Sequence, residues 1–356
     1  MVGYLLLWPV PVDPVAWQAP RSSGYVGDFA VNAKLSQLHK IPTSGAVGPE
    51  TIALGNDGKL YTGVSGGDIL RWNFDGSELE VWANTGGLVL GLAMDGQGRI
   101  IAADAMRGLL MVDQNKEVSV VEDSVNGTPL GFINSVIVAK NGKIYFSEAT
   151  RRFLPKTFDK YAAMLDTMEH SASGRIHEYD PVTKKDRVVM SNLCFANGVA
   201  LSFDERSLFV IETCENRVWK VSVDADNVSA KSTDPTQAKI LFSNLPGFPD
   251  NVMRGFNGRF WVGLVKPRSS AVDGLSDKPR LRKVILRLPW SWLLMHGSYG
   301  HVFAMDENGS ILFDMQDPSG VTTGLTGVTE TDDRLYFQSL EEPKINWLDK
   351  KKLGLH

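Results

Sequence analysis

Cysteine is scarce. Cys194 and Cys214 are the whole complement of the 356-residue chain, and they are not spaced as a C-x-x-C pair. A four-thiolate zinc site is excluded, while one disulfide and two buried free thiols both remain open. Positive charge is not in excess either. The formal net charge is −4, and binding to a phosphate backbone wants a basic face, so nucleic acid is excluded as the main partner. Long uninterrupted apolar runs are missing. Residues 1–17 (MVGYLLLWPVPVDPVAW) are apolar but broken by Pro9, Pro11 and Pro14. They are also shorter than the roughly 20 residues that a membrane helix takes. The stretch reads either as the tail of a longer membrane anchor, giving membrane association, or as an extended arm packed on the domain that follows. Helical periodicity is scarce, and its main exception is residues 156–170 (KTFDKYAAMLDTMEH). No G-x-G-x-x-G follows a strand pattern, which argues against a dinucleotide fold, and no serine nucleophile on an elbow is expected. The histidines, His39, His170, His177, His296, His301 and His356, show no metal-ligand spacing; His170, His296 and His301 lie in or beside long insertions.

What is present is a repeat. An apolar alternating run, a polar turn and a small–basic–apolar–aromatic step recur as ETIALGNDGKLYTG from Glu50, LGLAMDGQGRIIAA from Leu90 and NSVIVAKNGKIYFS from Asn134. They recur again as NGVALSFDERSLFVI from Asn197, DNVMRGFNGRFWVG from Asp250 and LTGVTETDDRLYFQ from Leu325. Period-2 alternation across an Asn-Gly or Asp-Gly turn is a β-hairpin, and 34 glycines spread along the chain suit many short strands. Six hairpins that cannot bury both faces alone predict an all-β fold, a six-bladed β-propeller with a short helical insertion and an N-terminal arm. The arm is placed at residues 1–30 and the propeller at 31–356. Insertions fall after hairpins three and five, the second spanning residues 267–300, and long loops in a tight repeat usually cover a binding face.

The units align on Tyr61, Ile101, Tyr145, Phe209, Trp261 and Tyr336. Eleven residues earlier, or twelve in the fourth unit, stand Glu50, Leu90, Asn134, Asn197, Asp250 and Leu325. Equivalent positions at the start of inner strands point to one region of the central tunnel, so two carboxylates and two carboxamides converge there. Hard oxygen donors suit Ca²⁺, with another divalent cation as the alternative; zinc would want His or Cys. Burying both carboxylates without a cation costs several kcal/mol. Three residues after the aromatic step stand Asp104, Glu148 and Glu212. They either orient the metal ligands from behind or tie blades together through backbone amides.

The runs GPETIAL, FANGVALSFDERSLFVIET, LPGFPDN and ETDDRLYFQSL resemble the strictosidine synthase-like family, and the resemblance extends from VNAKL (residues 31–35) to the end. That family falls in a superfamily of six-bladed propellers with paraoxonase, gluconolactonase/regucalcin and diisopropyl fluorophosphatase. The resemblance implies a catalytic calcium held by Glu50, Asn134, Asn197 and Asp250, with Asn251 as a fifth ligand. Two departures matter. Thr326 stands where strictosidine synthase carries its catalytic glutamate, so strictosidine synthesis is not expected. Leu90 stands where paraoxonase carries an assisting histidine.

The expected function is metal-dependent hydrolysis of lactones, aryl esters or related activated esters, with Asp250 activating water or attacking directly. Two rivals are carried with it: a carbon–carbon or carbon–nitrogen lyase or condensing enzyme using the same cation, and a non-catalytic calcium-stabilised binding propeller. The substrate pocket is expected to draw on Leu90, Asp104, Glu148, Trp290, Trp292 and Thr326. Residues 283–296 (KVILRLPWSWLLMH) are expected to line its entrance, unless Val284 and Leu286 belong to an ordinary blade strand.

Overall fold

The computed structural model describes residues 8–156, 161–232, 234–288 and 297–355. Its strands group into seven sheets, six of them the blades of a propeller and the seventh a two-stranded ribbon, Ser124–Val125 with Thr128–Pro129. Blade one runs Ile52–Leu54, Lys59–Gly63, Asp68–Asn73 and Glu80–Asn84, from the axis outward, and blade two Val89–Met94, Ile100–Asp104, Gly108–Val112 and Val118–Glu122. Blade three is Phe132–Val138, Ile144–Thr150, Gly174–Asp180 and Lys185–Leu193, with Val228–Ser229 added in parallel at its outer edge. Blade four is Ala196–Leu201, Ser207–Glu212, Arg217–Ser222 and Ala238–Phe242, and blade five Gly247–Arg254, Phe260–Pro267, Gly300–Met305 and Ile311–Asp317.

Blade six draws three strands from the end of the chain, Leu325–Glu330, Arg334–Ser339 and Lys344–Asp349, and its fourth from near the start, His39–Pro42. The pairing of Ile41 with Ile345 and His39 with Trp347 closes the ring non-covalently. Pro42, which lacks an N–H, is tolerated because this strand lies at the edge of its sheet.

The repeat phase explains the packing. Each blade buries both faces, and the described apolar residues form one cluster at every blade-to-blade contact. Tyr61 of blade one packs with Leu92 and Leu110 of blade two, and Ile101 with Ile144 and Phe146 of blade three. Tyr145 packs with Leu201 and Val210 of blade four, and Phe209 with Phe260 and Phe303 of blade five. Trp261 packs with Val328 and Phe337 of blade six, and Tyr336 with Leu60 and Trp72 of blade one. The recurrent aromatic or apolar step is therefore the residue each blade lends to its neighbour. Truncating such a fully buried aromatic to Ala typically costs about 3–5 kcal/mol.

The expected helical insertion is present as helix α1, Tyr161–Glu169. The blade-five insertion carries α2, Ser270–Asp273, and α3, Pro279–Ile285, so Val284 is helical and not part of a blade strand. Trp290 and Trp292 lie outside the described residues. The N-terminal arm crosses from these insertions to blade five. Val15 N–H donates to the Glu169 carbonyl (2.8 Å), Trp17 N–H to the Ser276 carbonyl (3.1 Å) and Leu35 N–H to the Gln316 carbonyl (3.1 Å). Arg282, fully buried, donates to the carbonyls of Met168 (2.8 Å) and Val15 (2.6 Å), joining α1, α3 and the arm. Among the described residues no helix is long and apolar enough to cross a membrane.

Candidate metal centre on the propeller axis

Glu50, Asn134 and Asp250 of the repeat phase come together, and Asn197 stands at the same bulge position in blade four. Glu50, Asn134, Asn197 and Asp250 are only 2–4% exposed. The Asn134 amide acts on the Glu50 carboxyl, and so does the charge of Asp250. Asn251 Nδ2 donates to the Glu50 carbonyl at 3.4 Å. Blades one, three and five share no edge, so side chains from all three meet only where inner strands converge on the axis.

Backbone irregularity aims these side chains. In blade three the ladder passes from Ile133–Glu148 to Val136–Phe146, leaving Asn134 and Ser135 opposite one residue. In blade four the corresponding bulge holds Asn197 and Gly198, and in blade five it holds Asp250 and Asn251. Bulges turn strand side chains out of the ordinary alternation and recur beside functional sites. Blades two and six have one extra residue at the same level, Leu90 and Thr326. Counting along the sequence assigns Leu325 to blade six; the bulge puts Thr326 there instead, and its hydroxyl donates to the Glu50 carbonyl at 2.7 Å. Gly198 lets inner strands close in at this level, since a Cβ there would sit 2.6 Å from Asn251 Cα.

The donors fit a hard cation. Glu50 Oε2, Asn134 Oδ1 and Asn197 Oδ1 are buried and have no hydrogen-bond partner among the described residues. Asn197 Nδ2 donates to Thr213 Oγ1 at 3.2 Å, which turns its Oδ1 the other way. Burial pushes the Glu50 carboxyl well above its usual range, the Asp250 charge pushes it further, and the Asn134 amide offsets part of this. Orphaned acceptors beside two buried carboxylates carry a large desolvation penalty that a divalent cation removes.

Asp104 and Glu148 have a different job. Asp104 Oδ1 accepts the N–H of Leu88 (2.9 Å), Met106 and Arg107, while its Oδ2 accepts the Thr85 hydroxyl. Glu148 Oε1 accepts Gly131 N–H (2.7 Å) and Oε2 takes Arg175 Nε (2.6 Å). Glu212 likewise accepts Cys194 N–H (3.0 Å) and Trp219 Nε1 (2.8 Å). Each carboxylate pins the loop leading into its own blade's inner strand, so of the two roles open for this position the backbone tie is the one seen. A G-x-S-x-G string does occur at residues 63–67, but Ser65 sits in the turn between two strands of blade one and forms no strand-to-helix elbow.

An apolar cover adjoins the ring at Leu90. Val12 of the arm, Leu165 of α1, Leu88, Leu90, Phe132 and Phe195 form one buried cluster, and Leu286, just beyond α3, packs against it. Sequence reasoning missed both the arm's part in this cover and the bulges; no local pattern marks either.

This architecture defines a six-bladed β-propeller. A solved gluconolactonase from Xanthomonas campestris matches with a TM-score of 0.61 at 17% identity, covering 95% of this chain and 98% of that one. A calcium-binding regucalcin from Agrobacterium tumefaciens matches with a TM-score of 0.54 at 13% identity, over 85% and 92%. Family models for strictosidine synthase and for the strictosidine synthase-like N-terminal region match residues 134–226 and 27–72. The adipocyte plasma membrane-associated protein of Danio rerio is 31% identical over 99% of this chain and 89% of its own length. The chain belongs to the strictosidine synthase-like family, among the relatives of adipocyte plasma membrane-associated protein.

Proposed function

We propose that this protein is a calcium-dependent hydrolase of lactones, aryl esters or similarly activated esters. The observation that carries the proposal is that Glu50 Oε2, Asn134 Oδ1 and Asn197 Oδ1 are buried with no hydrogen-bond partner among the described residues, with the Asp250 charge acting on Glu50. Glu50, Asn134, Asn197 and Asp250 would hold the cation, with Asn251 as a fifth donor. When bound, the cation supplies Lewis-acid polarisation of a carbonyl oxygen.

The chain's own residues do the rest. Asp250 takes a proton from the attacking water or adds to the carbonyl itself. A carboxylate beside a cation is a weak base, which favours activated esters over amides. Thr326 and Asn251 fix the Glu50 backbone and so the position of its carboxylate. The apolar cover excludes bulk water and matches an apolar acyl or aryl group. A condensing reaction of the strictosidine synthase kind is disfavoured because Thr326, hydrogen-bonded to a backbone carbonyl, offers no acid–base group.

A panel of γ- and δ-lactones and phenyl esters, assayed with calcium and after chelation, tests this reading. Turnover that disappears with chelator and returns with calcium supports it. Bound calcium with no turnover on any panel member would favour a non-catalytic binding propeller instead.

A further inference from the structure

A second donor cluster lies outside the axial ring, with both its cysteines in the apolar cover. His170, Cys194 and Cys214 are buried, and one ligand atom from each lies within 4.8 Å of the other two. Cys194 ends the loop into blade four's inner strand, and Cys214 follows that blade's second strand. The Cys214 N–H donates to the Cys194 carbonyl at 3.3 Å, so the two thiols are presented side by side. His170 is the first residue past α1, in the left-handed conformation (φ 58). Its N–H caps the helix on the Asp166 carbonyl at 2.7 Å.

The imidazole is oriented at both ends. Its Nε2 lies 2.7 Å from Glu215 Oε1 and its Nδ1 3.4 Å from Cys194 Sγ. A carboxylate that takes the Nε2 proton leaves the Nδ1 lone pair facing the thiols, the carboxylate–histidine pairing found behind metal-bound histidines. Trp17 stacks on the ring at 3.8 Å between centroids, closing the site to solvent, and the Arg282 guanidinium sits 4.6 Å from the Trp17 ring. Asp166, one helical turn before His170, is fully buried, and neither carboxylate oxygen has a hydrogen-bond partner among the described residues. Its charge acts on both thiols.

We propose that His170, Cys194 and Cys214 form a three-residue site for a zinc-class transition metal, with the fourth coordination position left for a non-protein ligand. Zinc–sulfur and zinc–nitrogen bonds of about 2.3 and 2.0–2.1 Å put tetrahedral ligands roughly 3.5–3.8 Å apart, against 3.4 Å between His170 Nδ1 and Cys194 Sγ and no more than 4.8 Å for any pair of the three ligand atoms. Two sulfurs and an imidazole select zinc over calcium, whereas the all-oxygen axial ring selects the reverse. Two thiolates are balanced by a divalent ion, and the charge of Arg282 acts on Cys194 as well. A cysteine-nucleophile reading of the Cys194–His170–Glu215 line is weaker, because burial pushes the Cys194 thiol well above its ordinary range. The site would anchor both segments that set Asn197: Cys194 lies three residues before it, and Thr213, its amide's acceptor, precedes Cys214.

Cobalt(II) chloride is the probe. Full-length protein, chelator-stripped and kept reduced with a phosphine, is titrated while thiolate-to-cobalt charge-transfer and tetrahedral d–d absorption are read. One equivalent is expected to give both bands, zinc chloride to bleach them, and excess calcium chloride to leave them unchanged. C194S and C214S are expected to lose the charge-transfer intensity, and E215Q to weaken cobalt binding about 10- to 100-fold. If the serine variants do not fold, the wild type and E215Q decide the matter. Reduced, folded wild type without a charge-transfer band, or an unchanged band in C194S, overturns the proposal.

Discussion

Thr213 receives the side-chain amide of Asn197 at 3.2 Å and donates its own hydroxyl to the carbonyl of Pro249 at 2.8 Å. One hydroxyl thus sets the orientation of a blade-four donor against the segment that carries Asp250 in blade five. Outer partners of this kind typically contribute 10- to 100-fold to metal affinity. T213V, which keeps the shape and removes both hydrogen bonds, is expected to weaken calcium binding by about that factor. Calorimetric titration checks the affinity, and a thermal melt checks that the fold is retained.

D250N removes the charge while keeping size and one oxygen. Loss of a general base or nucleophile usually costs about 100-fold or more. We expect that loss in kcat on any ester the protein turns over, with circular dichroism unchanged. Full activity in D250N would remove Asp250 from the chemistry.

Arg282 holds α1, α3 and the arm through backbone carbonyls. R282M leaves those carbonyls buried without donors, a change worth about 2–4 kcal/mol. A lower melting temperature and faster tryptic cleavage after the exposed Arg21 are the expected readouts.

Glu148 gives a pH signature. Burial by itself would raise its carboxyl, but hydrogen bonds from His177 and Arg175 outweigh that and hold it at about 2, below its ordinary 4.5. A depressed acid stabilises the fold above its unfolded-state value and loses that contribution as pH falls through its folded value. E148Q is therefore expected to cost roughly 3 kcal/mol at neutral pH, with the deficit shrinking between pH 4.5 and 2. Urea melts at several pH values measure it.

The repeat was legible because alternation and turn chemistry are local: Asn141-Gly142 and Asp57-Gly58 each close a hairpin whose strands pair as expected. The shared repeat phase of Glu50, Asn134, Asn197 and Asp250 was legible because spacing alone sets it. What stayed hidden depends on contacts between distant segments. His39–Pro42 is too short and too exposed to announce itself as the closing strand. The bulge that replaces Leu325 by Thr326 arises from strand pairing, not from spacing. His170 approaches Cys194 only because α1 folds back over blade four, which no motif records.

The axial metal centre is the claim on which the functional account stands. Calcium titration by calorimetry, on chelator-stripped wild type and on the E50Q/D250N double variant, tests it most directly. A single high-affinity site is expected in the wild type and none in the double variant, with both proteins folded. Equal calcium affinity in the two proteins, or no calcium binding by folded wild type, would contradict it.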